Sequence, residues 1–422
     1  MTETVAVIGG GAAGMMAAIA VAEAGGSAVV YEKNARPGRK LCITGKGRCN
    51  VTNDSTPQEV LENVTRNAKF LYSAVYRYPP AEVKAFFEAN GVPLKTERGR
   101  RVFPVSDRAM DVSDALVRRM RALGVQLVHA PVREILYDDS HAACGVRTDS
   151  GEHRHGAVIV ATGGVSYPAT GSTGDGHRMA KDAGLSVTAL TPSLVPVECR
   201  ENTREWMGLS LKNVRLTVSR GEKVVFAEQG EMLFTHFGVS GPLVLSASAH
   251  MQVGSVCDYR MSIDLKPALS EQALDARLAA DLQKYAAKDF INALGDLLPR
   301  ALIGAVVERS GIPERCKAGA VTRVQRGELL RVFKEFTLTP VRFRPMDEAI
   351  VTCGGVDVKQ IDPKTMMAKA VPGLFFAGEV LDLDAYTGGF NLQIAWSTGR
   401  LSGIGAANYI EKQAKTGNGE TI

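Results

Sequence analysis

Apolar positions along the chain change their spacing several times, and each change marks an element. Residues 4–8, TVAVI, form an unbroken apolar run, which predicts a short buried strand. GGGAAG follows at once, and then MMAAIAVAEAGG (15–26) places helix formers with apolar residues around most of the circumference. SAVVYEK (27–33) is a second apolar run, ending at Glu32. Similar βαβ patterning continues to about residue 190, where GAVIVATGG (156–164) reads as another buried strand ending in glycines. From 194 to 264 helical spacing disappears, and VRLTVSR and KVVFAEQ, joined by a Gly-Glu turn, predict antiparallel strands. Residues 268–335 turn helical, with Ser270 as N-cap of SEQALDARLAADLQKYAAKDF. The glycine-rich apolar style returns from about 340: AVPGLFFAGEVLD (370–382) predicts a turn, a strand over Leu374–Ala377, and Gly378-Glu379. AYTGGFNLQIAWSTGRLSG (385–403) then reads as a helix opened by glycines.

The first unit carries its own chemistry. Gly9, Gly11 and Gly14 fit G-x-G-x-x-G: one glycine for a tight turn, one for close approach of a pyrophosphate, one for helix–sheet packing. Free N–H groups and the positive end of the following helix suit phosphate. Glu32 stands where a carboxylate accepts from ribose hydroxyls, and an acid there disfavours a 2′-phosphate. The ligand is therefore expected to be FAD or NAD. The far end of the chain favours FAD, whose length needs a second anchor: Glu379 for a ribityl hydroxyl, and a helix beginning near Gly388-Gly389 for the flavin edge that gains negative charge on reduction.

Composition narrows the remaining classes. A chain of 422 residues predicts two or three domains. Its 43 glycines exceed the usual share of about 7% and are clustered, which suits backbone approaching a ligand. Seven scattered cysteines, with no secretory pattern ahead of them, suggest a reduced, cytoplasmic protein. No apolar run of about 18 residues suggests a membrane span, and the histidines and cysteines never adopt metal-ligand spacing.

Taken together, RPGRKLCITGKGRCNVTN, VIVATGG, GEMLFTHFGVSGP, VTCGGVD and FFAGEVLDLDAYTGGFNLQIAWSTG resemble the bacterial BaiN/RdsA-type FAD-dependent oxidoreductases, also called HI-type or aminoacetone-oxidase-like flavoproteins. The resemblance runs nearly end to end. It implies an α/β, two-dinucleotide-binding (Rossmann-like) FAD domain with an inserted β-barrel-like domain and a small helical domain. The expected boundaries are 1–190 for the first part of the FAD domain, 191–265 for the barrel-like insert, 266–338 for the helical insert, 339–412 for the second part, and 413–422 for a polar tail.

Expected cofactor contacts are Gly9, Gly11, Ala12, Ala13 and Gly14 in the first turn, then Glu32 and Lys33 after the second strand. Next come Arg39, Lys40, Gly45, Gly47, Arg48, Cys49, Asn50, Thr52 and Asn53, a glycine- and asparagine-rich stretch expected to run along the cofactor. Val132, Ala161, Thr162 and Gly163 follow, and finally Gly378, Glu379, Gly388, Gly389, Phe390, Asn391 and Leu392. Cys49, beside Arg48, is a candidate proton donor, set against the commoner role of a small packing residue. His236, flanked by aromatics in FTHFGVSGP, is the second catalytic candidate. Cys42 and Cys49 lie too far apart for a redox-disulfide motif.

The segment from Lys266 to Arg344 holds 14 Lys and Arg against 9 Asp and Glu, a surplus equal to the whole chain's net charge of +5. That pattern suits either solvated helix faces or phosphate contact. The resemblance implies a flavin-dependent reductase driven by transient NADH or NADPH, saturating a conjugated C=C bond. A uridine in ribosomal RNA, giving dihydrouridine, is the favoured acceptor. An unsaturated ketone or steroid, or an aminoketone oxidised with O2, are the alternatives.

Overall fold

The computed structural model describes residues 4–417. They divide into two units, one from the two ends of the chain and the other spanning Leu194–Pro345.

The first unit is built on a five-stranded parallel sheet. Its strands are β1 (Thr4–Ile8), β2 (Ser27–Tyr31), β3 (Gln126–Val128), β4 (Ala157–Val160) and β5 (Leu374–Phe376), in the order β5-β4-β1-β2-β3. The ladders pair Val5 with Ala157 and with Ala28, and Val158 with Leu374. β1, β4 and β5 are buried almost throughout, as a parallel sheet covered on both faces requires. Helix α1 (Ala12–Glu23) joins β1 to β2 and is buried from Ala13 to Val21. It is apolar all round because it meets the sheet on one side and the long helix α3 (Phe390–Gly417) on the other. The two helices touch backbone to side: a Cβ at Gly399 would lie 2.4 Å from the Ala13 carbonyl oxygen. No larger residue fits there.

Between β2 and β3 comes α2 (Arg39–Gly47), entered through left-handed Gly38 (φ 74°) and broken at Gly45 (φ 56°) and Lys46 (φ 59°). Thr52–Asn53, Leu94–Glu97 and Arg101–Pro104 make a small antiparallel sheet in the same connection. A second antiparallel sheet, Val132–Tyr137, Ala143–Thr148 and Gly151–Arg154, follows β3.

The second unit contains a seven-stranded antiparallel sheet and helices Glu271–Lys284, Arg300–Ser310 and Arg323–Lys334. Its hairpin of Ser210–Arg220 and Lys223–Phe234 turns at Gly221 (φ 57°) and Glu222, with Arg220 opposite Lys223. Ser270 caps the first of those helices by accepting from Ala273 N–H at 3.2 Å. The sheet has two ends, Phe336–Leu338 and Pro340–Phe343, and no ladder among the described residues joins them into a ring. The stretches 191–265 and 266–338 fall almost entirely within this single unit. In the expected tail, the backbone stays helical to Gly417, and residues 418–422 lie outside the described ones. Among the described residues no helix is long and apolar enough to cross a membrane.

Candidate functional site

Two cavities open at the carboxyl ends of β1 and β4, on either side of the glycine turn, and share Ala161 as a wall. This is where open α/β sheets place ligands. The larger, about 220 Å³, is lined by Gly9, Gly11, Glu32, Lys33, Val132 and Thr162 among others. The smaller, about 150 Å³ and mostly apolar, is lined by Ala12, Ala13, Lys40, Gly163, Gly378, Glu379, Asn391 and Leu392 among others.

The turn between β1 and α1 shows why its residues are glycines. Gly9 has φ 99°, and a Cβ on it would sit 2.6 Å from the Ala161 carbonyl oxygen. Gly11 is the opposite case: a Cβ there would meet nothing within 4 Å, because Gly11 faces the open cavity. Glu32 Oε2 accepts from Gly10 N–H at 2.8 Å, and its Oε1 accepts from Asn34 N–H at 2.8 Å. The acid therefore braces the turn and lines the larger cavity. Thr162 Oγ1, also on that wall, is buried without a hydrogen-bond partner. A glycine cradle with open space, an acid beside it and an orphaned hydroxyl fit a bound dinucleotide. Lys33 Nζ is paired with Asp175 at 2.6 Å. Burial raises the Asp175 pKa, but hydrogen bonds from Lys33 and Thr173 outweigh it and hold the carboxyl below its ordinary value.

In the smaller cavity Glu379 is held from three sides. Its Oε2 accepts from Lys40 Nζ at 2.7 Å, and its Oε1 from Ser166 Oγ at 3.1 Å and Thr352 N–H at 2.8 Å. Asn391 lines the cavity while its side chain closes the preceding loop: Oδ1 accepts from Ala385 N–H, and Nδ2 donates to the Ala385 carbonyl at 2.7 Å. Thr44, Ile350, Val351, Leu383, Ile394 and Ala395 also line this cavity and were not expected there. On the larger cavity the unexpected walls include Tyr31, Arg133, Gly171 and Arg178.

None of the residues of the stretch Gly45–Asn53 lines either of these two cavities. Thr52 Oγ1 donates to Gln393 Oε1 at 2.6 Å, Asn53 Nδ2 to the Gly388 carbonyl at 3.1 Å, and Trp396 Nε1 to the Val51 carbonyl at 2.9 Å. These groups fasten the start of α3, and Gly389 (φ 102°) comes so close that a Cβ would lie 2.4 Å from the Thr52 carbonyl. Arg48 is paired with Glu97 and Asp107 and covers the Phe103 ring at 4.1 Å. Arg39 is exposed and donates to Asn34 Oδ1 at 3.0 Å. Phe390 packs into the core, and Gly14 lies inside α1 below the turn. Gly47 and Asn50 also lie off the cavity walls.

Cys49 lines neither cavity. Its side chain is wholly buried in the apolar core that includes Leu41 and Val51, and burial pushes the thiol up to about 12. His236 lies in the second unit, exposed in the turn before Gly238–Ser240, with its ring edge-on to Phe237 at 5.0 Å. The insert's cations are mostly matched by acids of the same unit: Arg326 with Asp275, Lys334 with Asp264, Lys317 with Asp289, and Arg342 and Arg344 with Glu198. Taken as a whole, it is not a bare cationic face.

A glycine turn, a bracing acid and paired cavities at the strand ends define a dinucleotide-binding scaffold. The family model described as HI0933-like protein Rossmann domain matches residues 3–405, and the chain belongs to that family of FAD-dependent oxidoreductases. It is 29% identical over 407 residues to a 3-dehydro-bile acid delta(4,6)-reductase of Clostridium scindens, covering 96% of this chain and 98% of that protein. It is 30% identical over 398 residues to a ribosomal RNA dihydrouridine synthase of Haemophilus influenzae, covering 93% of this chain and 95% of that one. Among solved structures it resembles 3-ketosteroid delta1-dehydrogenase from Sterolibacterium denitrificans, with TM-score 0.53, 14% identity, and coverage of 98% and 100%. At that identity the likeness concerns the fold.

Proposed function

We propose that this protein is an NADH- or NADPH-driven reductase of a C=C bond conjugated to a carbonyl, with a uridine base of ribosomal RNA as its favoured acceptor. The observation that carries the chemistry is that relatives matched over nearly their whole length include both a bile-acid reductase and a dihydrouridine synthase. A Δ4,6 double bond conjugated to a 3-oxo group and the uracil C5=C6 bond are the same kind of target: each takes hydride at the electron-poor carbon and a proton at its neighbour.

Bound FAD would supply the two-electron transfer. The residues that would hold it are Gly9, Gly11, Glu32 and Thr162 in the larger cavity, and Ala12, Ala13, Lys40 and Asn391 in the smaller. Lys40 is itself held by Ser166 and Glu379, so its positive charge is fixed beside the apolar cavity. The apolar walls Leu383, Leu392 and Ile394 would exclude water from the reacting end. His236 and Cys49 are the candidates for the acid, and the burial of Cys49 favours His236. A reduced-cysteine, cytoplasmic setting is part of the same reading.

The protein reduced with NADH or NADPH is mixed, without oxygen, with ribosomal RNA lacking dihydrouridine or with an unsaturated 3-oxo-steroid; separately, the oxidised protein is given aminoacetone in air. Return of flavin colour with RNA, and dihydrouridine in the digested product, supports the favoured acceptor. Return with the steroid alone selects the ketone, and rapid oxygen uptake with aminoacetone alone selects an oxidase.

A further inference from the structure

Helix Tyr72–Arg77 carries a surface feature that the cofactor site does not use. Ala74 and Val75 are buried on its inner side, whereas Tyr72 is 56% exposed and Tyr76 43%. Four residues apart, the two tyrosines share a helix face, and their rings stack with centroids 4.3 Å apart and planes at 22°. Lys69 and Arg77, on either side, are exposed, and neither has an ion-pair partner among the described residues. Glu62, the acid closest before them in the sequence, accepts from Gln58 at 3.1 Å.

The platform is fastened to the wall of the smaller cavity by both of its ends. Ahead of it, Thr65 N–H donates to the Asp384 carbonyl at 2.9 Å, Asn67 Nδ2 to the Asp382 carbonyl at 2.8 Å, and Tyr386 N–H to the Asn63 carbonyl at 3.0 Å. Leu383, within that partner segment, lines the cavity. Behind it, the Tyr78 carbonyl accepts from Gln393 Nε2 at 2.9 Å and Ser397 Oγ at 2.8 Å, on the helix whose Asn391 and Leu392 line the same cavity.

We propose that Tyr72 and Tyr76, flanked by Lys69 and Arg77, form a docking surface for single-stranded RNA, fastened through the neighbouring segments to the wall of the smaller cavity. The inference rests on the reductase reading above and names where its polymeric substrate is held. A base inside a duplex cannot reach an enclosed reaction site, so the target strand must be unpaired and its neighbours held open. Aromatic faces do this for any base, because every base has a π-face, and flanking cations meet the phosphates.

The test uses the FAD-loaded protein and a fluorescein-labelled oligouridylate of about twelve nucleotides, within the usual range of single-strand site sizes. Anisotropy should show binding by the wild type. The double variant Tyr72→Ala/Tyr76→Ala should bind at least about tenfold more weakly, and Tyr72→Phe/Tyr76→Phe should restore affinity by keeping the rings. Lys69→Ala/Arg77→Ala should lower the slope of log affinity against log salt by about 1.4, two phosphate contacts at about 0.7 each. Retained FAD colour and melting temperature show that each variant is folded. Equal affinity of the wild type and the double alanine variant overturns the docking surface. So does a wild type that binds no RNA; if sedimentation then changes from dimer to monomer in the alanine variant, the face belongs to a second copy of the chain. RNA turnover with unchanged affinity in the alanine variant sinks this inference alone. Tyrosine-dependent binding without turnover sinks the reductase reading alone.

Discussion

Lys40 Nζ lies 2.7 Å from Glu379 Oε2, joining two residues 339 positions apart in one wall of the smaller cavity. Both side chains are about four-fifths buried, at 23% and 20% exposure. The pair ties the start of α2 to the chain after β5 and so holds the two ends of the polypeptide around one site. Replacing Lys40 by Ala leaves a carboxylate oxygen short of its donor in a partly buried place. The expected cost is about 1–2 kcal/mol in denaturant unfolding, discounted for residual solvent, together with weaker FAD retention. Glu379→Gln should cost a comparable amount, because the amide keeps one accepting oxygen but turns its NH2 against either Lys40 or the Ser166 and Thr352 donors.

Gly11→Val separates folding from cofactor binding. The backbone there (φ −80°) suits any residue, and a Cβ meets no protein atom. The variant should melt within about 1 kcal/mol of the wild type and purify colourless. A yellow Gly11→Val protein would contradict the placement of the dinucleotide.

Gly389→Ala should behave in the opposite way. Its φ of 102° and the 2.4 Å approach to the Thr52 carbonyl leave no room for a methyl group. Displacing the start of α3 should cost more than about 2 kcal/mol in urea unfolding and reduce FAD binding as a consequence.

For Cys49 the expectation follows from burial. Cys49→Ala should lower stability by about 1 kcal/mol while leaving the rate of flavin re-oxidation by substrate unchanged. A large fall in that rate with intact FAD content would restore a chemical role.

His155 sets an acid limit. Its ring bonds Thr4 Oγ1 at 2.6 Å and Tyr31 OH at 2.9 Å, and burial lowers its pKa to about 4. An unfolded histidine titrates near about 6.5, so between those values the unfolded chain holds more protons and stability falls as pH falls. Above that window the contribution is fully present. His155→Gln keeps a hydrogen-bonding side chain without the titration, and its melting temperature should fall less steeply from pH 6.5 to 4. Because Tyr31 lines the larger cavity, FAD release on acidification should follow the same difference.

Part of this site is readable in one dimension and part is not. Gly9, Gly11 and Glu32 stand within one βαβ unit, where the glycine spacing, the strand ends and the acid are all local. Gly378, Glu379 and Asn391 could be read because a strand, a glycine turn and a helix again follow each other directly. Thr44, Ile350 and Val351 reach the smaller cavity only through packing between distant segments. Gly45–Asn53 carries an ambiguous signal for a physical reason: glycines and asparagines serve close approach equally well whether the neighbour is a ligand or another stretch of backbone. Here the neighbour is the turn before α3. In the basic insert a charge count gives the surplus but not the pairing: Glu198, 144 residues from Arg342, lies outside the counted segment, and Asp275 lies inside it but 51 residues from Arg326.

The central claim is that the two ends of the chain close around one tightly held FAD. Its most direct test is titration of the flavin-stripped, folded protein with FAD, followed by flavin fluorescence and absorbance. Stoichiometric uptake of a single equivalent is expected, abolished in Gly11→Val. A folded protein that takes up no FAD would contradict it.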